Sequence, residues 1–547
     1  MRLPALAALP IFQLACSTFG SDGAGGSGTG GDEDGGQKAV DGTPADEALL
    51  FNALPKTPFF VTQGASTTVS LNIVRGRNVP DPITVTVEDL PTGVAHALLQ
   101  FGIGEAKAQL VIQAAGDAAQ GPIRAKVRAT SGKVTTTTPI EVFVRGAPGT
   151  LDTTFGDRGF VSQVVGDGKE NPPADLQMLA DDRFVVVGQC DFQRLDSGLP
   201  GTSGTCLARF SSEGTRDATY GGGAGGVTSL PTHAFPTNAV LAAGGKLVIL
   251  GGGNSFIPVG KIGIKRLNTD GTLDITFGTG GVCETQINAA GSTYVAGTAR
   301  LAIRASDGSL FAAFQNDTSP KTVGLLRVGP NCEAVTSFGS SGVTSVGWST
   351  GNARVLGLVL RGEKPLLTGR AFDQVASGWG AAQVDGTSGA LDTNFGTGGK
   401  LFYPTAVTTP AQYFATSGQF SGVVILPSGS VIVNYPQSGG FVMASIEPDG
   451  KSLTPTFGVG GLLTVSSERR PTDLVRQSDG KLLVNLSGSG AEVRRLTSSG
   501  TLDPAFGNAG VFVDPRLQSW RIAQQRDGRI VILGAAARDM ALLRIWN

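Results

Sequence analysis

Hydrophobic and polar positions follow two schemes along the chain. Between residues 50 and 146 they alternate, in FFVTQG, TTVSLNIVRG, ITVTVEDL, AKAQLVIQAA, PIRAKVRAT and PIEVFVRG. A period of two marks strands whose side chains point alternately to either face of a sheet. Turn signals at Arg75-Gly76, Pro91-Thr92-Gly93, Gly116-Asp117 and Ser131-Gly132 separate these runs. Six or seven short strands of this kind predict an antiparallel β-sandwich.

From residue 150 onward the pattern becomes modular. A strand, a DG-like turn and a second strand recur, as in LAIRASDGSLFAAF, LVRQSDGKLLVNL and IAQQRDGRIVILG. A third strand follows, as in LARF, IKRL, LLRV, VRRL and LLRI. Then comes a motif of the form TLDITFGTGGV (272–282), and a fourth strand. The motif aromatic is Phe155, Tyr220, Phe277, Phe338, Phe395, Phe457 or Phe506, each followed by glycine. Seven copies, 49 to 65 residues apart, are the spacing of a repeat architecture. Four strands per unit and seven units predict a seven-bladed β-propeller. The array starts with a fourth strand, FVSQVV, and ends on a third, ALLRIWN. The first strand is therefore expected to complete the last blade and close the ring, leaving no open edge.

A constellation repeated seven times reads as scaffold. Glycine after every aromatic indicates a backbone angle that other residues adopt at a cost. The aromatic is expected to wedge between blades and bury apolar area. Asp152, Asp217, Asp274, Asp392 and Asp503 precede it by three, with Val335 and Thr454 in the other copies. A turn-capping role tolerates that variation.

The DG turn and the Phe-Gly motif lie at one end of each blade, and both are regular. The opposite connections differ from unit to unit, for example at 190–206, 251–260, 370–378, 230–237, 287–298 and 403–420. Variable loops on a rigid frame are the usual place for binding. Trp379, Tyr413, Phe414 and Phe235 are the candidate ligand-binding residues there, suited to stacking on a sugar or clamping a peptide. Phe256 and Tyr403 lie on the same side.

The repeated units resemble the delta-60 repeat of bacteria, whose pattern is DGK, an aliphatic strand, Arg-Leu and LDxxFGxxG. The resemblance covers about 150 to 547 and implies a propeller-like fold without implying catalytic residues. The Leu90-Pro-Thr-Gly-Val94 turn resembles those of Ig-like domains on bacterial surface proteins, which implies a spacer or adhesion role.

The N-terminus, MRLPALAALPIFQLACS, has Arg2, an apolar run too short to span a bilayer, and Leu14-Ala15-Cys16. It resembles a lipoprotein signal peptide, with Gln13 in place of the usual aliphatic residue. The resemblance implies cleavage before Cys16, lipid on that cysteine and, with Ser17 following, sorting to the outer membrane. The expected organisation is a signal peptide (1–15), a Gly-rich tether (16–48), the Ig-like sandwich (49–147) and the propeller (148–547). Residues 17–47 hold almost no large apolar side chain, so they are expected to be disordered.

Export permits disulfides. Cys190 and Cys206 are expected to pair, since they stand at the ends of the longest loop between second and third strands. Cys283 and Cys332 form a weaker candidate pair in consecutive repeats.

Composition narrows the function further. Eighty-one glycines agree with many tight turns. Net charge is −1 with dispersed lysine and arginine, which argues against nucleic acid. His96 and His233 are the only histidines, too few for a histidine-rich metal site. No nucleophile motif, metal cluster or cofactor fingerprint occurs. Two classes remain: a monomeric, membrane-anchored binding module for a protein or glycan, which is favoured, and a glycan hydrolase or lyase. The second would use paired carboxylates; Asp175, Asp373 and Glu170 are unpaired candidates.

Overall fold

The computed structural model describes residues 48–52, 58–79, 82–102, 104–162, 164–165, 170–190, 204–222, 224–230, 236–251, 261–287, 299–316, 320–348, 352–372, 377–405, 422–437 and 439–547. Cys16 and the proposed tether, apart from Ala48, lie outside them, as do Phe235, Phe256, Asp373, Tyr413 and Phe414.

The alternating segment folds as a sandwich of nine strands in two sheets, of four and five strands. Its inward positions, among them Val69, Leu71, Ile83, Val85, Leu110, Ile112, Val127 and Val142, form one core. Two features differ from the expectation. There are more strands than the six or seven counted, and one pairing, Phe59–Thr62 with Val134–Arg145, is parallel. The chain crosses from one sheet to the other between these two strands, which a hairpin rule does not anticipate.

The remainder forms seven four-stranded antiparallel sheets, and the fold is all-β. Blades 1 to 7 have innermost strands Pro173–Met178, Pro236–Leu241, Arg300–Ile303, Asn352–Arg361, Val423–Ile425, Arg470–Arg476 and Gln518–Gln524. Each inner strand touches the next, and the seventh touches the first, so the inner strands form a closed ring. The last sheet joins three C-terminal strands to Phe160–Val161, with Phe160 opposite Leu543 and Val161 opposite Leu542. The N-terminal strand thus completes the last blade, as the order of the repeats predicts. The sandwich meets this closing blade through Trp546, whose Nε1 donates to Gln120 Oε1 at 2.9 Å. The Trp546 ring also meets Phe143 edge-on at 6.2 Å.

Apolar contacts between blades fill the spaces around the ring. Phe277 of blade 2, for instance, is clustered with Leu310, Leu326 and Val328 of blade 3.

Candidate functional site

Three places qualify as sites: the repeated motif, the propeller axis and the variable loops. The motif is the most regular. All seven aromatics are buried, none more than 2 % exposed. The glycine after each has positive φ, between +53° and +78°. Its amide donates to a carbonyl in the next unit: Gly278 to Asn331 O at 3.1 Å, Gly396 to Asp449 O at 2.7 Å, and Gly507 to Pro148 O at 2.8 Å. A Cβ on Gly278 would stand 2.2 Å from Val282 O, so both the angle and the close approach require glycine.

The motif aspartate has a second role that the sequence reading missed. In blade 2, Asp274 Oδ1 accepts from the Thr276 amide at 3.2 Å and hydroxyl at 2.6 Å, which is the expected turn cap. Oδ2 accepts from Arg266 Nε at 2.6 Å and Lys246 Nζ at 2.7 Å. Arg266 belongs to the third strand and lies over the Phe277 ring, 4.7 Å from its centroid. The same Arg–Asp clasp recurs as Arg209–Asp217, Arg495–Asp503 and Arg544–Asp152. The last is fully buried and joins the two ends of the propeller. Burial raises the Asp274 carboxyl, but hydrogen bonds from Lys246, Thr276 and Arg266 outweigh it and hold the group well below the usual carboxylate range. Asp217 is drawn down to about 2, first by the Thr219 hydroxyl and then by Arg209.

The exceptions explain themselves. Where Thr454 replaces the aspartate, Ser445 occupies the arginine position, so both members are lost together. Where Val335 replaces it, Arg327 turns to Asp307 of the neighbouring DG turn at 3.1 Å. Where glutamine replaces the arginine, Gln383 Nε2 and Lys364 Nζ still serve Asp392, at 2.7 and 2.6 Å. The legible signal is an arginine eight residues before the aspartate in blades 1, 2 and 6.

The axis carries a belt of polar side chains, also missed. Asp175 Oδ2 accepts from the Ala239 amide at 2.6 Å and Asn238 Nδ2 at 2.7 Å. Asn238 Oδ1 accepts from the Leu301 amide at 2.8 Å. Arg300 Nε donates to Leu356 O at 3.0 Å, and Asp473 Oδ2 accepts from the Ile522 amide at 3.0 Å. Arg521 closes the circuit onto Asp175 at 3.2 Å. Each link runs from one inner strand to its neighbour. A β-bulge immediately precedes Asp175, Asn238, Asp473 and Arg521, and it turns the side chain toward the adjoining blade. The available signal is Pro-x-Asp or Pro-x-Asn at Pro173, Pro236 and Pro471.

This belt bears on catalysis. Asp175 and Asp473 approach one another near Arg521, yet the Asp175 oxygens accept four hydrogen bonds, the remaining two from Leu176 N and Arg521 Nε. Burial pushes the Asp473 carboxyl up, with Arg521 opposing. By exposure Asp473 is half-buried. Both of its oxygens accept backbone amides, from Leu474 and Ile522. These acids hold strands together.

The variable side requires two corrections. Trp379 is not a loop residue. It lies within the strand Ser377–Gln383 of blade 4, is 2 % exposed, stacks on Tyr403 at 5.5 Å and meets the tilted ring of Tyr435 at 5.7 Å. The strand extends farther toward the variable end than the apolar pattern of GWGAAQ reveals, because glycines interrupt the alternation. Trp379 therefore packs blade 4 against blade 5 and offers no ring face to a ligand.

The cysteine expectations reverse. Cys283 and Cys332 form a disulfide with Cα atoms 5.6 Å apart, joining blade 2 to the turn that follows the third strand of blade 3. Cys190 and Cys206 are buried and not disulfide-bonded. Cys190 faces Gly204, and Cys206 faces Gly188, so the two cysteines are diagonal across adjacent strands. Diagonal neighbours stand about 7–8 Å apart, beyond the usual Cα separation of a disulfide, about 4.4–6.8 Å. The Cys190 sulfur lies instead 3.8 Å from Ser229 Oγ.

His96 serves the sandwich, where Nε2 accepts the Val87 amide at 3.2 Å. Among the described residues no group of three or more His, Cys, Asp or Glu side chains is placed to hold a metal ion.

The family described as a domain of unknown function (DUF5122) beta-propeller matches residues 245–277 and 477–506. The protein has a β-propeller fold. Both matches run from the turn between the first and second strands to a motif aromatic, the segment that contains the Arg–Asp clasp of blades 2 and 6. Among solved structures, a protein of unknown function from Bacteroides caccae aligns at 11 % identity, covering 53 % of this chain and 84 % of that one, with a TM-score of 0.33. A quinonprotein alcohol dehydrogenase-like protein from Bacteroides thetaiotaomicron aligns at 8 % identity over 90 % and 91 %, with a TM-score of 0.34. A polysaccharide lyase of family PL25, an ulvan lyase, aligns at 8 % over 76 % and 91 %, with a TM-score of 0.36. Likeness at this level carries no inference about activity. No curated protein matches the chain.

Proposed function

We propose that this protein is a non-enzymatic binding module that presents the variable face of its propeller to a protein or glycan. One observation carries the reading: the recurrent polar side chains of motif and axis are engaged in holding blades together. Asp175, a candidate catalytic acid from the sequence, has both oxygens saturated by the scaffold. What differs from blade to blade is the set of connections at the other end, where recognition is placed.

The proposal includes a setting. The chain is exported and held at a bacterial outer membrane through lipid on Cys16, with residues 16–48 as tether and the sandwich as an Ig-like spacer. The Cys283–Cys332 disulfide supports an oxidising compartment. The delta-60-type motif supports a repeat scaffold.

Incubation with a panel of polysaccharides and surface proteins tests the reading. Affinity electrophoresis is expected to show retention by at least one ligand. Absorbance at the wavelength of unsaturated uronates and a reducing-end assay are expected to show no product. Time-dependent release of either product would establish the hydrolase or lyase alternative instead.

A further inference from the structure

The turn between first and second strands recurs in backbone, but its first side chain does not. In blade 7 the Gln525 backbone N–H donates to Arg529 O, and its carbonyl accepts from Gly528 N. Gln477 of blade 6 repeats both bonds, as do Leu179, Ala242, Arg304 and Leu426 in blades 1, 2, 3 and 5.

Where this side chain is long and polar, it crosses to the next blade. Gln525 Nε2 donates to Asp182 O at 3.2 Å and Ser212 O at 2.9 Å in blade 1, and Gln525 Oε1 accepts from Arg544 Nη1 at 3.3 Å. Gln477 reaches Asn547 Oδ1 at 2.7 Å, and Arg304 reaches Gly386 O at 3.3 Å. In the shorter turn of blade 4, Arg361 reaches Pro448 O at 2.7 Å. Blades 1 and 2 carry Leu179 and Ala242 here, and neither side chain can make such a bond.

A cleft stands at each of these two places. Between blades 1 and 2 it measures about 440 Å³, lined by Leu179, Arg209, Tyr220, Leu241, Gly245 and Thr269 among others. Between blades 2 and 3 it measures about 450 Å³, lined by Ala242, Arg266, Ile303, Gly308, Leu310 and Pro330 among others. Ligand pockets commonly measure about 300–1,000 Å³. By the hydrogen-bond pattern of their turns, Gly245 and Thr269 are the counterparts of Asp182 and Ser212, and so are Gly308 and Pro330 one blade on. Arg209 and Arg266 take the place of Arg544, with Nη1 on Thr269 O and Pro330 O, each at 2.6 Å. Gln477 and Gln525 are buried, whereas Leu179 and Ala242 are partly exposed, so both clefts meet solvent.

The protein's own Gln525 is thus a pattern for the occupant: two N–H bonds for a pair of carbonyls, an oxygen for a guanidinium, and an apolar stem. A primary carboxamide has all three, an acetamido group has a single N–H, and a carboxylate has none. The clefts adjoin across the blade 2 turn, sharing Leu241 and Ala242 as walls, which suits a chain presenting more than one such group. We propose that these two clefts, at the motif end of the propeller, bind glutamine side chains of a partner peptide through their carboxamides. The site lies at the end opposite the variable loops, so its failure leaves the binding reading of those loops standing.

Saturation-transfer NMR of the full chain decides it, with N-acetylglutamine methylamide, its glutamate analogue and N-acetylglucosamine as probes. Saturable binding of the glutamine probe is expected, about tenfold or more tighter than of the glutamate analogue, whose carboxylate faces carbonyls without a proton to offer. Leu179→Gln and Ala242→Gln supply the carboxamide from within. Each is expected to halve the signal at saturation, and the double variant to weaken binding about tenfold or more while raising the thermal midpoint. The single variants carry the comparison if the double variant does not fold. No saturable binding of the glutamine probe, equal binding of the glutamate analogue, or unchanged binding in the filled variants overturns the site. Preference for N-acetylglucosamine overturns the peptide and assigns the clefts to an acetamido sugar.

Discussion

Replacing Phe277 with alanine is expected to destabilise the protein by about 3–5 kcal/mol, the range for truncating a large buried aromatic. The ring is fully buried between blades 2 and 3. Its removal leaves a cavity in an interface whose backbone is pinned on both sides, by Gly278 to Asn331 O and by the Phe277 amide to Asp274 O at 3.0 Å. The blades have little freedom to collapse into the space. Arg266 also loses the ring beneath it, a contact worth roughly 0.5–2 kcal/mol. Chemical denaturation followed by tryptophan fluorescence measures the change. Trp379→Ala belongs in the same stability class, because Trp379 is core. A protein lacking either aromatic that melts with the parent would show the interface to be looser than described.

Reducing the Cys283–Cys332 disulfide is expected to cost roughly 4 kcal/mol in the chain-entropy model for a loop of this length. The bridge spans 49 residues of sequence and fastens two blades at the rim. It stands beside the Gly278–Asn331 hydrogen bond, so one covalent link reinforces an interface that the other blades hold by hydrogen bonds and packing. The parent with a thiol reductant, and Cys283→Ser with or without it, are expected to unfold at the same midpoint, below that of the unreduced parent. A midpoint that falls with reductant equally in Cys283→Ser and the parent would assign the effect to another bond.

Much of this architecture was legible because repetition multiplies the signal. A single LDxxFG stretch resembles a site; seven copies expose the strand order, the blade number and the ring closure. The glycine after each aromatic was readable from its invariance within the chain, and positive φ explains it. Partnerships across space were less legible. Arg266 and Asp274 are eight residues apart on either side of a turn, and the recurrence of that spacing in three blades, with the paired loss at Ser445 and Thr454, is what betrays that they act together. The axial belt links residues some fifty to sixty positions apart, through bulges that alternation does not encode. Cys190 and Cys206 misled because loop ends were placed directly opposite, whereas a register offset of two residues separates them. Trp379 misled because its glycine-flanked strand resembles a loop. Of the candidate aromatics on the variable face, Phe235, Tyr413 and Phe414 lie outside the described residues, and that face remains the proposal's ground.

The central claim is that the repeated motif clasps the scaffold through coupled Arg–Asp pairs rather than forming seven sites. Blade 5 supplies the design of the most direct test, since it carries serine and threonine at these two positions. Thermal and chemical unfolding of Arg266→Ser, Asp274→Thr and the double variant form a cycle. Each single change leaves a buried charge without its main partner and is expected to cost about 3–5 kcal/mol. The double variant, which copies blade 5, is predicted to cost clearly less than the sum, with a coupling of about 1–3 kcal/mol. Additive losses within about 0.5 kcal/mol, or single variants as stable as the parent, would contradict the clasp.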